Sequence, residues 1–212
     1  LIESILSLNT LVTDLGETDN LEISYNDWLN QADLGSSTKL SDLYLDKINL
    51  LLGDMRIVTD KQLNNYQFSG IIASQIPYSK IIHCQRDPLD IILSMYRTNF
   101  VNGHSYSSSL VDCSKLYLHQ ESLMRRYKAN YPDHIYSVNY NELVLQPEKE
   151  IKKLIKWLGW QWEDIYLSPH LNTRSIFTAS STQVRHPINS RSIGLWKKYT
   201  TLLKPAIDML NS

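Results

Sequence analysis

Little in this chain would divide, anchor or cross-link it. Its 212 residues hold no Pro/Gly/Ser linker, no internal repeat and no low-complexity tract. That argues against modules on flexible tethers and for one domain, residues 1–212, with chain enough to bury a sizeable core. No apolar run is long enough to span a bilayer, and neither a signal peptide nor an Asn-x-Ser/Thr sequon is present. Net charge is also lacking: 21 Lys+Arg face 22 Asp+Glu, a formal −1, so no global field draws the chain to nucleic acid or to an anionic membrane. Cysteine is scarce. Cys84 and Cys113 do not form a C-x-x-C pair and the six histidines show no metal-ligand spacing, so no metal site is expected. Cys84 sits in an apolar strand-like run and Cys113 on the apolar stripe of a helix, which reads as two buried thiols. A reducing, cytoplasmic compartment is the expectation.

What is present has the pattern of an α/β fold. Leu1, Ile2, Ile5 and Leu6 share one side of a helix that opens the chain. Leu40, Leu43, Tyr44, Ile48 and Leu51 repeat at helical spacing, with Gly53 as a stop. Arg56 to Thr59 predicts a short strand ending at Asp60-Lys61, and a helical stretch follows around Gln67 to Ser74. Lys80 to Gln85 predicts a second strand that runs into a helix with Asp87 as N-cap and Pro88 in the first turn. Cys113, Leu116, Tyr117, Met124, Tyr127 and Tyr131 mark a longer helix, and Ile135 to Val138 a further strand. Pro147 opens a helix with Ile151, Leu154, Ile155 and Leu158 on one face and Gly159 as its stop. Short strands alternating with helices predict a central, mostly parallel sheet flanked by helices. Ligands of such sheets bind beyond the carboxyl ends of the strands, where Lys61, Arg86 and Tyr140 each follow a strand.

Three groups of residues can carry chemistry. Arg86 leaves a strand as a helix begins, so its guanidinium can meet an anion at the helix N-terminus, and Ser94, eight residues on, can add a donor. The competing reading pairs Arg86 with Asp87 or Asp90 and leaves Ser94 facing a neighbouring helix. Next, no acidic residue stands between Asp164 and Asp208, a stretch carrying Arg174, Arg185, Arg191, Lys197, Lys198 and Lys204 among Thr178, Ser180, Ser181, Thr182 and Gln183. Fixed donors without a competing carboxylate suit phosphate, although a solvated basic loop has the same composition. A nucleic-acid surface would need a basic face elsewhere to extend it, and the chain has none. Finally, Glu17 follows Gly16 and Lys61 follows a strand. A carboxylate can take a proton from a hydroxyl, and an ammonium can neutralise charge on a leaving oxygen.

Along nearly its whole length the chain resembles the sulfotransferases that use 3′-phosphoadenosine 5′-phosphosulfate. The likeness is to the bacterial branch often fused to tetratricopeptide repeats and, more distantly, to tyrosylprotein sulfotransferases. The residues that carry it are Leu-Ile-Glu-Ser-Ile-Leu at 1–6, Leu-Gly-Glu at 15–17, Asp60-Lys61, and Ile-Ile-His-Cys-Gln-Arg-Asp-Pro-Leu-Asp at 81–90 with Ser94. Val-Asn-Tyr-Asn-Glu-Leu-Val at 138–144, Thr-Ala-Ser-Ser-Thr-Gln-Val-Arg-His-Pro-Ile at 178–188 and Ser-Ile-Gly-Leu-Trp-Lys-Lys-Tyr at 192–199 complete it. The Arg-Asp-Pro block and the Thr-Ala-Ser…Gln-Val-Arg block at this separation are specific together; either alone is weak.

The resemblance implies a P-loop NTPase-like sulfotransferase fold and transfer of a sulfuryl group from that donor to a hydroxyl of a protein tyrosine, a carbohydrate or a small molecule, without a metal. It implies that Arg86 and Ser94 hold the 3′-phosphate and that Tyr140 contacts the adenosine. A loop from Ser180 to Asn189, with Gln183 and Arg185, would close over the nucleotide. Glu17 would be the general base and Lys61 would stabilise the bridging oxygen. The acceptor pocket would draw on Trp28 and the Tyr96 to Tyr106 region. Two departures stand out. The family's Pro-Arg-Ser-Gly-Thr-like 5′-phosphosulfate turn should immediately precede Leu1, so the expectation is a domain truncated before its N-terminal strand and that loop. Leu195 stands where relatives place Arg or Lys before the tryptophan. A non-catalytic nucleotide- or partner-binding domain is the alternative. A P-loop kinase ranks behind both, for want of a magnesium-binding carboxylate other than Asp60.

Overall fold

The computed structural model describes residues 1–52, 57–98, 104–172 and 185–211. Gly53 and Arg56 lie outside them, as do residues 99–103. The chain is mixed α/β with parallel strands, and it divides into two compact units, Leu1–Ile81 with Trp160–Ile188, and Ile82–Gly159 with Asn189–Ser212.

In the first unit, α1 (Ile2–Leu6) leads into β1 (Val12–Gly16), and α2 (Asn20–Asp33) and α3 (Leu40–Leu52) carry the chain back to β2 (Ile57–Asp60). Two parallel strands cannot be joined by a tight turn, so a crossover of this length is obligatory. Val12 pairs with Ile57, Thr13 with Val58, Asp14 with Thr59 and Gly16 with Asp60, with the register slipping between Asp14 and Gly16. Gly16 makes that bulge possible: its φ is +68°, a conformation that strains any residue with a Cβ. Neither β1 nor α2 announces itself in the sequence. Only Val12 of β1 is buried, and α2 buries only Leu21 and Ser24, so it has no apolar stripe to read. Leu21, Tyr44 and Ile48 form the unit's core with Leu15, Val58, Phe68, Ile72 and Ile76 packed around them. Ile72 comes from α4 (Ser69–Gln75), which continues a 3₁₀ turn at Asn65–Phe68, and Ile76 is its C-cap. The 3₁₀ turns Asp164–Leu167 and Pro169–Leu171 pack on α1 and bury Tyr166.

In the second unit, β3 (Ile81–Gln85, from Ile82 onward) is hydrogen-bonded to β4 (Ile135–Asn139). Between them run α5 (Pro88–Arg97) and α6 (Leu110–Asn130). Asp87 caps α5 as expected: its Oδ1 accepts the Leu89 N–H at 2.9 Å and the Asp90 N–H at 3.2 Å. Asn139 likewise caps α7 (Tyr140–Leu145), accepting from Asn141 and Glu142. In α8 (Pro147–Leu158) Ile151, Leu154 and Ile155 are buried, and Gly159 ends it at φ +77°. Leu89, Ile92 and Leu93 of α5, Leu110 and Cys113 of α6, and Leu203 and Ala206 of α9 (Lys204–Leu210) form one core. Leu195 and Trp196 pack against it, which gives an apolar side chain at position 195 a structural use.

The cysteines part company. Cys113 is buried and hydrogen-bonded to the Tyr106 carbonyl at 3.4 Å, and burial pushes its thiol up to about 11. Cys84 is exposed, contrary to the expectation of a second buried thiol. Successive strand residues face opposite ways, and in β3 it is His83 that turns into the packed side.

Leu154 is fully buried whereas Leu145 is 63% exposed. Urea denaturation should therefore find Leu154→Ala less stable by ~2–5 kcal/mol and Leu145→Ala within ~0.5 kcal/mol of the parent.

Candidate functional site

The first unit brings Glu17 and Lys61 together. Each is the first residue past a strand of the parallel pair β1/β2, so both emerge at the same edge, and the Lys61 N–H extends the ladder to the Gly16 carbonyl at 2.9 Å. The Lys61 ammonium pairs with Glu17 Oε1, and both side chains keep solvent access at 41% and 37%. A second link, Gln62 Nε2 to Asp19 Oδ1 at 3.1 Å, joins the same two loops. The strand end beneath Lys61 is held by Asp60, whose carboxylate accepts Tyr44 Oη at 2.9 Å and Asn65 Nδ2 at 3.0 Å. Burial raises the Asp60 carboxyl above its ordinary value despite both bonds, and burial beside Asp60 raises the Tyr44 phenol further still. Glu3, hydrogen-bonded by Thr59, is also pushed up by burial, against the attraction of Lys61.

Arg185 belongs to this unit. Its Nη1 donates to the Asn172 carbonyl, and the buried Asn172 amide donates to Ser7 Oγ at 2.8 Å and to the Ser4 carbonyl at 3.3 Å. Arg185 is thus tied to the helix that precedes β1. Trp28 packs at a tilt against Tyr25, which in turn packs at a tilt against Phe68.

The second unit brings Arg86 and Tyr140 together. Arg86 follows β3 and Tyr140 follows its neighbour β4, and the Arg86 guanidinium carbon lies 4.6 Å from the centroid of the Tyr140 ring. Arg86 Nη2 donates to the Ser192 carbonyl and lies 3.5 Å from Asp90 Oδ2. Its Nε–H is buried without an acceptor. A buried donor left unmade costs ~1–3 kcal/mol, and an oxygen brought to it by a ligand recovers that cost. Arg86 thus pairs with Asp90, as the competing reading has it, and keeps one buried donor without an acceptor. Ser94 is exposed on α5, one turn beyond Asp90 on the same side. Asn189 is exposed, and its Oδ1 accepts the Arg191 N–H at 3.3 Å. Ser180 and Gln183, with Arg174 and the hydroxyl-rich run around them, lie outside the described residues.

Sequence reasoning named Asp60 only as a motif residue and as a carboxylate for the kinase reading, did not single out Tyr44 or the Ser192 carbonyl, and weighed Asp90 only as a rival claimant on Arg86. Tyr44 looks like one more core residue at helical spacing, and a backbone carbonyl has no sequence signal at all. Below Arg86, His83 is 8% exposed with its Nε2 3.3 Å from Glu121 Oε1, and Gln85 Nε2 donates to the other oxygen of Glu121. Burial outweighs the Glu121 attraction and holds the His83 imidazole below its ordinary value. Among the described residues no group of three or more His, Cys, Asp or Glu is placed to hold a metal, and no helix is long and apolar enough to cross a membrane.

A model of the Sulfotransferase family matches residues 15–164, and the chain belongs to that family. An uncharacterised protein of Aquifex aeolicus (strain VF5) is 30% identical over 170 residues, 79% of this chain and 22% of that protein. The chain thus spans about a fifth of the length of the curated relative it matches. Two solved structures share the fold. The sulfotransferase domain from the curacin biosynthetic pathway has a TM-score of 0.56 at 13% identity and is matched over 99% of this chain and 82% of its own. The sulfotransferase domain from the Synechococcus PCC 7002 olefin synthase has a TM-score of 0.53 at 20% identity, over 90% of this chain and 67% of its own.

The unfolded chain takes up a proton on His83 near pH ~6.5, while the folded chain resists it to lower pH. This contribution to stability is complete above pH ~6.5 and is lost as pH falls towards the folded value. Thermal melts from pH 7.5 to 5.5 should fall more steeply for the parent than for His83→Gln, the difference isolating this group from Asp60 and Glu3. Because the Glu17–Lys61 pair is more than a third exposed, Lys61→Ala should change stability by less than ~1 kcal/mol in denaturant titrations.

Proposed function

We propose that this domain transfers a sulfuryl group from 3′-phosphoadenosine 5′-phosphosulfate to an acceptor hydroxyl, on a protein tyrosine, a carbohydrate or a small molecule. The observation that carries the reading is Arg86. It is a guanidinium at the junction of β3 and the N-terminus of α5, braced on Tyr140, with a buried N–H that has no acceptor. Such a junction favours a phosphate through the helix dipole and the fork of donors together. In this reading Arg86 and Ser94 take the 3′-phosphate, Tyr140 takes the adenosine, and Ser180, Gln183, Arg185 and Asn189 belong to the segment that covers the nucleotide.

Glu17 accepts the proton of the acceptor hydroxyl as its oxygen attacks sulfur. The bond from sulfur to the bridging phosphate oxygen breaks, and Lys61 offsets the charge left on that oxygen. Membership of the sulfotransferase family supports the reaction class, and the contact between Glu17 and Lys61 supports a shared role for the two. In-line transfer of this kind needs positioning and charge stabilisation more than covalent help. Kinship with the repeat-associated bacterial branch and with tyrosylprotein sulfotransferases rests on the motifs quoted above and favours a protein acceptor.

Titration calorimetry should find 3′-phosphoadenosine 5′-phosphate bound at least ~10-fold more tightly than adenosine 5′-phosphate, since a charge-assisted hydrogen bond contributes ~1.5–3 kcal/mol. Arg86→Ala should abolish the preference. Equal affinities in the parent, or a preference that survives Arg86→Ala, would show that Arg86 is not a 3′-phosphate ligand.

A further inference from the structure

We propose that Asp90 is a positioning residue that sets the orientation of Arg86 by tying it to the turn around Gly194. This rests on the donor reading above for its consequence, though not for its geometry. Asp90 stands in the first turn of α5 with its side chain only 1% exposed. Its Oδ2 accepts the Gly194 N–H at 2.8 Å and its Oδ1 accepts the Trp196 N–H at 3.1 Å, across more than a hundred residues of sequence. The same carboxylate lies 3.5 Å from Arg86 Nη2, and Arg86 in turn donates to the carbonyl of Ser192, two residues before Gly194.

The contacts close a ring: Arg86 to Asp90, Asp90 to Gly194 and Trp196, and the same turn back to Arg86 through Ser192. A guanidinium with several rotatable bonds is thereby held at one face of Tyr140. Gly194 has φ +64°, the left-handed conformation that lets two nearby N–H groups point at one carboxylate, and Trp196 plugs its turn into the core beside α5. A buried carboxylate that accepts two backbone N–H groups and faces a guanidinium is well satisfied, which favours a rigid ring.

Charge and geometry pull in opposite directions here, which makes the proposal sharp. By charge alone, a carboxylate beside an anion site weakens anion binding, so removing it should tighten phosphate. If Asp90 acts by orienting Arg86, removing it should loosen phosphate instead. Asp90→Asn leaves an amide N–H facing a backbone N–H, and Asp90→Glu keeps the charge but displaces it by one methylene.

The decisive measurement is the affinity ratio of 3′-phosphoadenosine 5′-phosphate to adenosine 5′-phosphate. Both variants should lose at least ~10-fold of that ratio, with adenosine 5′-phosphate affinity unchanged. An unchanged or increased ratio in either variant overturns the proposal. Should Asp90→Asn fail to fold, Asp90→Glu carries the comparison alone. If the parent shows no ratio at all, the donor reading has failed and amide hydrogen exchange decides the positioning role. The Gly194 and Trp196 amides and Arg86 Nε–H should then be slow in the parent and at least ~10-fold faster in the variant that folds, with α8 amides as the unchanged control. Fast exchange in the parent, or no change in the variant, overturns it on that arm.

Discussion

Parallel pairing of β1 with β2 makes both strands finish on one edge, and the meeting of Glu17 with Lys61 follows from where those strands stop. A parallel pair cannot place the residue after one strand at the opposite end from the residue after the other. Once Val12–Gly16 pairs with Ile57–Asp60, Glu17 and Lys61 must emerge side by side, although more than forty residues separate them in sequence. The bulge at Gly16 and the anchoring of Asp60 by Tyr44 and Asn65 then fix the angle at which the two side chains leave.

In the second unit, too, residues that follow neighbouring strands meet. β3 and β4 lie next to each other, and the residues that follow them, Arg86 and Tyr140, meet as cation and ring. Here the helix that starts immediately after the strand matters as much as the strand. Asp87 caps it, Asp90 on its first turn receives two backbone N–H groups from the C-terminal segment, and that segment's Ser192 carbonyl takes one donor of Arg86. Arg86 is therefore held by ring, carboxylate and carbonyl together.

Much of this was legible in the residues. Elements with a strong local signal stand where pattern places them: α8 between Pro147 and Gly159, α5 behind its Asp87-Pro88 cap, and α3 with its stripe from Leu40 to Ile48. β1 and α2 were not legible, because a strand with one buried residue and a helix with two carry no periodicity to detect. Cys84 was misread because a continuous apolar strand does not say which of its faces is packed. Glu17, Lys61 and Arg86 could be named as candidates from residue type and family likeness, and Lys61 and Arg86 also from the strands they follow. Which of them touch, and through what, could not.

Sequence alone determined the elements whose capping and periodicity are local, the family blocks, and the acid-free basic stretch before Asp208. These are properties of neighbouring residues, and neighbours in sequence suffice to express them. Only the tertiary structure decided that Lys61 meets Glu17, that Arg86 stacks on Tyr140, and that a carboxylate on α5 receives the N–H groups of Gly194 and Trp196. Those contacts join segments tens to a hundred residues apart. Strand pairing and core burial bring them together, and the hydrogen-bonding partners include backbone groups that every residue carries and no sequence pattern distinguishes.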